Sequence, residues 1–279
     1  MQIPTFKRAL HILFIVLRVV VLVYIGLSAY LAIFQRSYLY FPTAQAYDAC
    51  PYYTEAERIT YGDTRFYHKK KHADTIVVVF HGNGGSACDR EYYQAFLRQT
   101  DASFLFVEYA GYAGDPETAT MERILLNVRD TASVLQQRGY KNILIIGESL
   151  GTGPASYLAT LLPEENTAGI ILVSTYTDVA SVAAHHYPYL PVRYLLIDNF
   201  TPIKWLSQSR GPVAIIHGSN DKTLPIEVSK QLARSISPDR LSYYEIENAG
   251  HNDLFGQDEA VEALVGAATG FLDSKRIAQ

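Results

Sequence analysis

The stretch that most restricts what this chain can fold into runs from Ile143 to Gly151. It reads Ile-Leu-Ile-Ile, then Gly147-Glu148-Ser149-Leu150-Gly151, then Thr152-Gly153-Pro154 and an apolar-periodic segment to Leu162. The aliphatic run bounded by glycine predicts a buried strand, and the periodic segment predicts a helix. Only a very tight turn fits between them. Gly-x-Ser-x-Gly alone arises often by chance. Between a strand and a helix start, it predicts a serine in a strained backbone conformation at the carboxyl edge of a sheet. Gly147 and Gly151 are expected because strand and helix backbones nearly touch on either side of the turn. The helix N-terminus then directs free N–H groups at any anion that forms beside the serine. The competing reading, a glycine-rich turn of a nucleotide-binding fold, is weakened because no Gly-x-Gly-x-x-Gly or P-loop pattern occurs here.

Strands and helices alternate around this stretch. Thr75–Phe80 is apolar on both faces, as in a covered parallel sheet, and runs into His81-Gly82-Asn83-Gly84-Gly85 and a predicted helix from about Cys88 to Arg98. Ser103–Val107 and Gly169–Val173 are further predicted strands, and Thr118–Arg138 is a long amphipathic helix closed by Gly139. After an interruption come a strand at Val213–His217, a helix from about Ile226 to Ile236, a strand at Leu241–Ile246 and a last helix after Asp258. Glu57–Tyr61 and Arg65–His68, joined by Gly62-Asp63-Thr64, predict a hairpin. The expected fold is α/β, a mostly parallel sheet with helices on both faces and its catalytic loops at the carboxyl edge. The interruption, 174–210, contains Pro188, Pro191 and Pro202 and many apolar residues. It is expected to be a cap of short pieces closing an acyl pocket. The plainer alternative is a cover for the sheet that leaves the site open.

Composition excludes some functions. With 48% apolar and 19% charged residues over 279 positions, the chain can build a full core and is not disordered. Of its 24 basic residues, Lys7, Arg8, Arg18 and Arg36 lie in the first 36 positions with no acid among them. The remainder is therefore more acidic than the net charge of −4 implies, which argues against a nucleic-acid partner. Cys50 and Cys88, the only cysteines, show no metal-ligand spacing. They are read as two unbonded small side chains, the alternative being a disulfide in an exported domain.

Leu10 to Phe34 is almost continuously apolar, and as a helix it extends roughly 37 Å, enough for a tilted membrane crossing. Arg18 would cost about 2.5–3.5 kcal/mol at mid-bilayer unless it snorkels to the headgroups. Residues 1–36 are thus expected to be a single membrane anchor, 37–56 a juxtamembrane connector and 57–279 the main domain. Lys7, Arg8 and Arg18 precede the span, so the charge bias puts the N-terminus in the cytoplasm and the main domain outside. A cleaved signal peptide would need Ala44-Gln45-Ala46 as its processing site, far beyond the end of the apolar run. Tyr38, Tyr40 and Phe41 suit either an interfacial aromatic belt or packing on the domain. All core elements are expected beyond Gln45, so a form starting there is expected to be soluble and active.

A serine hydroxyl needs a base within hydrogen-bond reach. His251, in Asn248-Ala249-Gly250-His251-Asn252-Asp253 directly after the last strand, is the expected base. His81 is expected to be a structural part of its loop. The base needs a carboxylate to fix its tautomer, and Asp221, in Gly218-Ser219-Asn220-Asp221, is expected to supply it, with Asp178 the alternative. Leu150 and Asn83 are expected to offer their backbone N–H groups to a tetrahedral oxyanion. No cofactor or metal is implied.

With these motifs in order along nearly the whole chain, the sequence resembles the α/β-hydrolase superfamily. Within it, the chain is similar to the single-span Bem46-like branch that includes the ABHD13 and ABHD17 types. The residues that carry the resemblance are Tyr38-Leu39-Tyr40-Phe41-Pro42, His81–Gly85, Glu108–Gly114, Gly147–Gly153, Gly218–Asp221 and Gly250–Asp253. Gly82-Asn83-Gly84-Gly85 and Ala110-Gly111-Tyr112-Ala113 depart from the branch's usual Gly-Asn-Ala-Gly and Arg-Gly-Tyr-Gly, so substrate choice does not transfer. The resemblance implies cleavage of carboxylic esters, acyl-thioesters or lysophospholipids. The expected function is a membrane-anchored serine hydrolase acting through an acyl-enzyme on a lipid-like or small acyl ester. A serine peptidase or an acyltransferase would use the same residues, and a non-catalytic membrane-tethered binding protein is the reading from another class.

Overall fold

The architecture is that of a computed structural model, which describes residues 3–277. It is built on one eight-stranded sheet. Its strands are β1 (Arg58–Tyr61), β2 (Thr64–Lys69), β3 (Thr75–Phe80), β4 (Ser103–Glu108), β5 (Asn142–Glu148), β6 (Thr167–Val173), β7 (Val213–Gly218) and β8 (Leu241–Ile246). In space they run β8-β7-β6-β5-β3-β4-β2-β1. The six from β3 onward pair in parallel, and the expected hairpin β1–β2 adds antiparallel to β4.

The sequence dictates this sheet through strands that are apolar on both faces. Every residue of β3, Thr-Ile-Val-Val-Val-Phe, is buried. Because side chains alternate across a strand, Ile76, Val78 and Phe80 join one core while Val77 and Val79 join the other. The first core lies under α3 (Met121–Gln137), α4 (Thr152–Leu161) and α8 (Ile226–Ala233), the second under α9 (Asp258–Ile277). Thr120 caps α3 by accepting from the Arg123 amide, so the helix begins at Met121, three residues inside the expected start at Thr118. The helix expected from Cys88 to Arg98 is instead a short 3-10 turn, Ala87–Arg90, followed by α2 (Tyr92–Phe96). Gly85 with φ +86° and the reciprocal Ser86–Asp89 cap set that turn.

Three findings concern the chain outside the sheet. The N-terminal helix α1 covers Ile3–Leu39, past the expected boundary at 36, and is long and apolar enough to cross a membrane, a test that a signal sequence also passes. The aromatic cluster at its end divides, since Tyr40 is buried on the domain whereas Tyr38 and Phe41 are exposed. Cys50 and Cys88 are bonded to each other, which corrects the reading of them as unbonded. They are 38 residues apart, and it is the folding of the connector onto the turn after β3 that brings them together.

The segment 174–210 forms three short helices, α5 (Val179–His186), α6 (Val192–Leu195) and α7 (Pro202–Leu206). Pro202 occupies the first turn of α7, where its missing N–H costs nothing. Trp205 of α7 packs on Tyr157 of α4, and the loop after α6 meets the end of α1.

Candidate active site

Ser149 has φ +51°, the left-handed region that costs a non-glycine residue of order 1–3 kcal/mol. That conformation turns the chain from β5 into α4 within a single 3-10 turn. The flanking glycines are required for the reason the sequence suggested. A Cβ on Gly147 would lie 2.5 Å from the Gly151 carbonyl oxygen and 2.7 Å from the Ala155 Cβ, and one on Gly151 would collide with the carbonyl of Phe80.

Two other loops meet the serine at the carboxyl edge. The loop after β7 carries Asp221 and the loop after β8 carries His251. They are stitched together by backbone: Ser219 N–H donates to Ile246 O and Asn220 N–H to Ala249 O, each at 2.9 Å. Gly218 has to be glycine there, because a Cβ would strike the Ala249 carbonyl. His251 Nδ1 is 2.6 Å from Asp221 Oδ2, and its Nε2 is 3.0 Å from Ser149 Oγ. Asp221 is buried, and its Oδ1 accepts from the amides of Thr223 and Leu224 at 2.9 and 2.8 Å. Burial alone would raise its carboxyl, but the neighbouring His217 and His251 rings and the Leu224 amide more than offset this and hold it well below the usual range. It therefore stays an anion beside the imidazole.

The alternative carboxylate is engaged elsewhere. Asp178 caps α5, accepting from the Ser181 amide at 2.8 Å and the Ser181 hydroxyl at 2.7 Å. His81 is buried, with Nδ1 2.8 Å from Gly82 O and its ring tilted 30° against that of Tyr109, 3.9 Å between centres, contacts that shape the loop. The Asn83 carbonyl is held by the Phe41 amide at 2.9 Å and the Tyr112 hydroxyl at 2.8 Å. A Cβ on Gly82 would sit 3.4 Å from the Ser149 Cβ, so this loop runs directly beside the serine. The Leu150 amide, second in the 3-10 turn, has no acceptor within that turn.

A cavity of about 420 Å³ opens beside His251. One wall is aromatic, made by Tyr92 and Phe96 of α2 and Phe255 from the turn after β8, whose ring centres lie 5.5–5.9 Å apart. Arg90 and Glu148 form its polar side. Glu148, the residue before the serine, binds Arg90 through both carboxylate oxygens and accepts from the Tyr92 hydroxyl at 2.5 Å and the Tyr93 hydroxyl at 3.2 Å. Burial would raise the Glu148 carboxyl, but the Arg90 charge and these hydroxyls lower it. The only part of 174–210 on the cavity is Ser174, so α5, α6 and α7 do not roof it. The segment expected to roof an acyl pocket is engaged elsewhere, α7 with α4 and the α6 loop with α1. Sequence reasoning missed the cavity wall because its residues come from segments far apart in the chain. Only His217, four residues before Asp221 and 3.4 Å from its Oδ2, carried a local signal.

Comparisons with known proteins agree with this architecture. No family model matches the chain. It is 30% identical over 251 residues to an uncharacterised protein of Mycobacterium tuberculosis, covering 85% of this chain and 88% of that one. It is also 30% identical over 188 residues, 64% of this chain and 67% of the other, to an Acanthamoeba polyphaga mimivirus protein whose name assigns it provisionally to the α/β hydrolases. Among solved structures, an esterase from Exiguobacterium antarcticum superposes with a TM-score of 0.60 at 18% identity, over 76% of this chain and 98% of that one. The chain belongs to the α/β-hydrolase superfamily.

Proposed function

We propose that this α/β hydrolase is a serine hydrolase that cleaves carboxylic esters or acyl-thioesters through an acyl-enzyme. The reading is carried by the continuous hydrogen-bonded path Asp221 Oδ2–His251 Nδ1 and His251 Nε2–Ser149 Oγ, at 2.6 and 3.0 Å. In this role His251 removes the Ser149 proton as Oγ attacks the carbonyl carbon, and then returns it to the leaving oxygen or sulfur. Water repeats the cycle to release the acid. Asp221 fixes the tautomer and stabilises the imidazolium. The Leu150 and Asn83 amides receive the oxyanion. The aromatic wall of the cavity suits an apolar acyl or aryl group, while the Arg90–Glu148 pair, already saturated by mutual bonds, leaves no free charge to select an anionic one.

Helix α1 is the membrane span of this reading, with the N-terminus cytoplasmic. The Cys50–Cys88 bond supports an extracytoplasmic domain, where such bonds persist. The test is labelling of the full chain by a fluorophosphonate probe. Labelling abolished by Ser149→Ala, together with hydrolysis of p-nitrophenyl esters, is the expected result. An unlabelled wild-type chain overturns the proposal. Turnover of a peptide in place of the esters would move it to the peptidases, and acyl transfer in preference to hydrolysis to the acyltransferases.

A further inference from the structure

If α5–α7 do not roof the cavity, their apolar residues need another explanation. Much of that surface is left open to solvent. Tyr189 and Tyr194 are 89% and 90% exposed, Ile197 is 65% exposed, and Tyr187 is also open. From Val179 to Ile197 there is no acidic residue, while His185, His186 and Arg193 are present. A bare aromatic surface without acids is unusual on a soluble protein and characteristic of a membrane interface.

The attachment of this surface to α1 fixes its level relative to the bilayer. Gln35 brackets the end of α6 from both sides, its Nε2 donating to Leu195 O at 3.2 Å and its Oε1 accepting from the Ile197 amide at 2.6 Å. From the next residue, Arg36 Nε donates to Asp198 Oδ2 at 3.0 Å, and the Tyr40 hydroxyl donates to the same oxygen at 3.1 Å. Asp198 is buried, so the junction is a fixed joint rather than a passing contact. About 20 residues of helix cross the hydrocarbon layer, whereas the apolar helix here runs 34 residues, Phe6–Leu39. With Lys7 and Arg8 at one surface, its last turns pass through the headgroup layer on the other side. Tyr30, Phe34 and Tyr38 line one stripe of those turns, with the Tyr30 and Phe34 rings 4.9 Å apart. Between these turns and α5 lies an apolar groove of about 390 Å³, lined by Leu31, Tyr38 and Leu39 on one side and Val182, Ala183 and Leu196 on the other. Its walls offer a lipid tail the same apolar contact as its neighbours in the leaflet.

We propose that residues 187–197 and the groove beside them are a bilayer-docking surface, seated in the headgroup layer of the leaflet that α1 leaves, with the groove occupied by lipid tails. This rests on α1 being a membrane span. The segment then acts as a second, monotopic contact that fixes the tilt of the hydrolase domain on the membrane. Tyr189 and Tyr194 supply the amphipathic rings, and Arg193 the cation at headgroup level.

The test uses the full chain in phosphatidylcholine vesicles, with single cysteines introduced by Tyr189→Cys, Tyr194→Cys or, as a control at the opposite edge of the sheet, Ala73→Cys. The native cysteines are bonded, so an environment-sensitive fluorophore reports only the new position. The expected result is blue-shifted emission at 189 and 194, and quenching by nitroxide-labelled phosphatidylcholine several-fold stronger than at 73. Labels at 189 and 194 that behave like the one at 73, in protein that still floats with the vesicles after an alkaline wash, overturn the docking surface and leave the span intact. Protein that fails to float after that wash overturns the span and the docking surface together. Protection of 189 and 194 that persists in detergent without lipid assigns the surface to another protein or a second copy, and also overturns the proposal.

Discussion

Arg90 and Glu148 face each other across the floor of the cavity in a two-pronged pair, Nε to Oε2 at 3.1 Å and Nη2 to Oε1 at 2.8 Å. The pair joins the turn after β3 to the residue immediately before Ser149. The side chains are 13% and 20% exposed, so removing one partner leaves a partly solvated unpaired charge, at a cost of about 1–3 kcal/mol. Arg90→Met or Glu148→Leu alone is therefore expected to destabilise by that order, and the double substitution by less than the sum. Urea unfolding of the three variants checks this, and additive losses would show that the pair does not act as a unit.

Ser149→Ala and His251→Ala are each expected to lower kcat for p-nitrophenyl acetate by several orders of magnitude, because such groups act as a unit. Asp221→Asn should fall comparably or somewhat less. Asp178→Asn should cost little stability, since asparagine caps a helix about as well as aspartate, and leave kcat near wild type. Crippled turnover in Asp178→Asn with mild loss in Asp221→Asn would reassign the carboxylate.

The cavity wall sets the expected chain-length preference. Catalytic efficiency should rise from acetyl to mid-length p-nitrophenyl esters, each buried CH₂ adding at most about 0.8 kcal/mol. Phe96→Ala with Phe255→Ala should flatten that rise and spare acetyl turnover. Leu195→Asp should leave the profile as it is, since α6 is away from the cavity. The reverse pattern, a profile sensitive to Leu195 and indifferent to the phenylalanines, would restore the roof.

His68 links stability to pH. It is buried against the Tyr140 hydroxyl at 2.9 Å, and burial first, then the charges of Arg138 and Lys70, push its pKa down to about 4 from an ordinary 6.5. The unfolded chain therefore takes up this proton first. The neutral ring's contribution is complete above about pH 6.5 and is lost as pH falls towards 4, at most about 3 kcal/mol in all. Urea midpoints at pH 7.5 and 5 should differ for the wild type, and by less in His68→Gln. An equal drop in both would assign the acid sensitivity to other groups.

What was legible in the sequence was what is local. β3 and β5 announce themselves by aliphatic runs, and Ser149, Asp221 and His251 each follow a strand within a few residues, so the parallel sheet brings them to one edge. Arg90 was not legible as a partner of Glu148, since 58 residues separate them and only the completed turn brings them together. The Cys50–Cys88 bond was missed for the same reason, because cysteine count alone leaves pairing open. The segment 174–210 was read correctly as short pieces. Its placement depends on Gln35 and Arg36, more than 150 residues earlier, which no periodicity encodes.

The chain leaving α1 does not run free to the domain. The Phe41 amide bonds to Asn83 O, the Thr43 amide bonds to Gly85 O at 3.3 Å, and Phe41–Pro42 form a two-residue parallel ladder with Gly84–Gly85. A form starting at Gln45, expected from the sequence to be soluble and active, lacks this brace on the loop beside Ser149, and its activity is expected to fall below that of a form that keeps it. A soluble form that keeps Tyr40 through Thr43 retains it. Helix α1 is thus coupled to the site: a displacement of its last turn is passed, through two peptide hydrogen bonds, to the loop on which the proposed oxyanion amide sits.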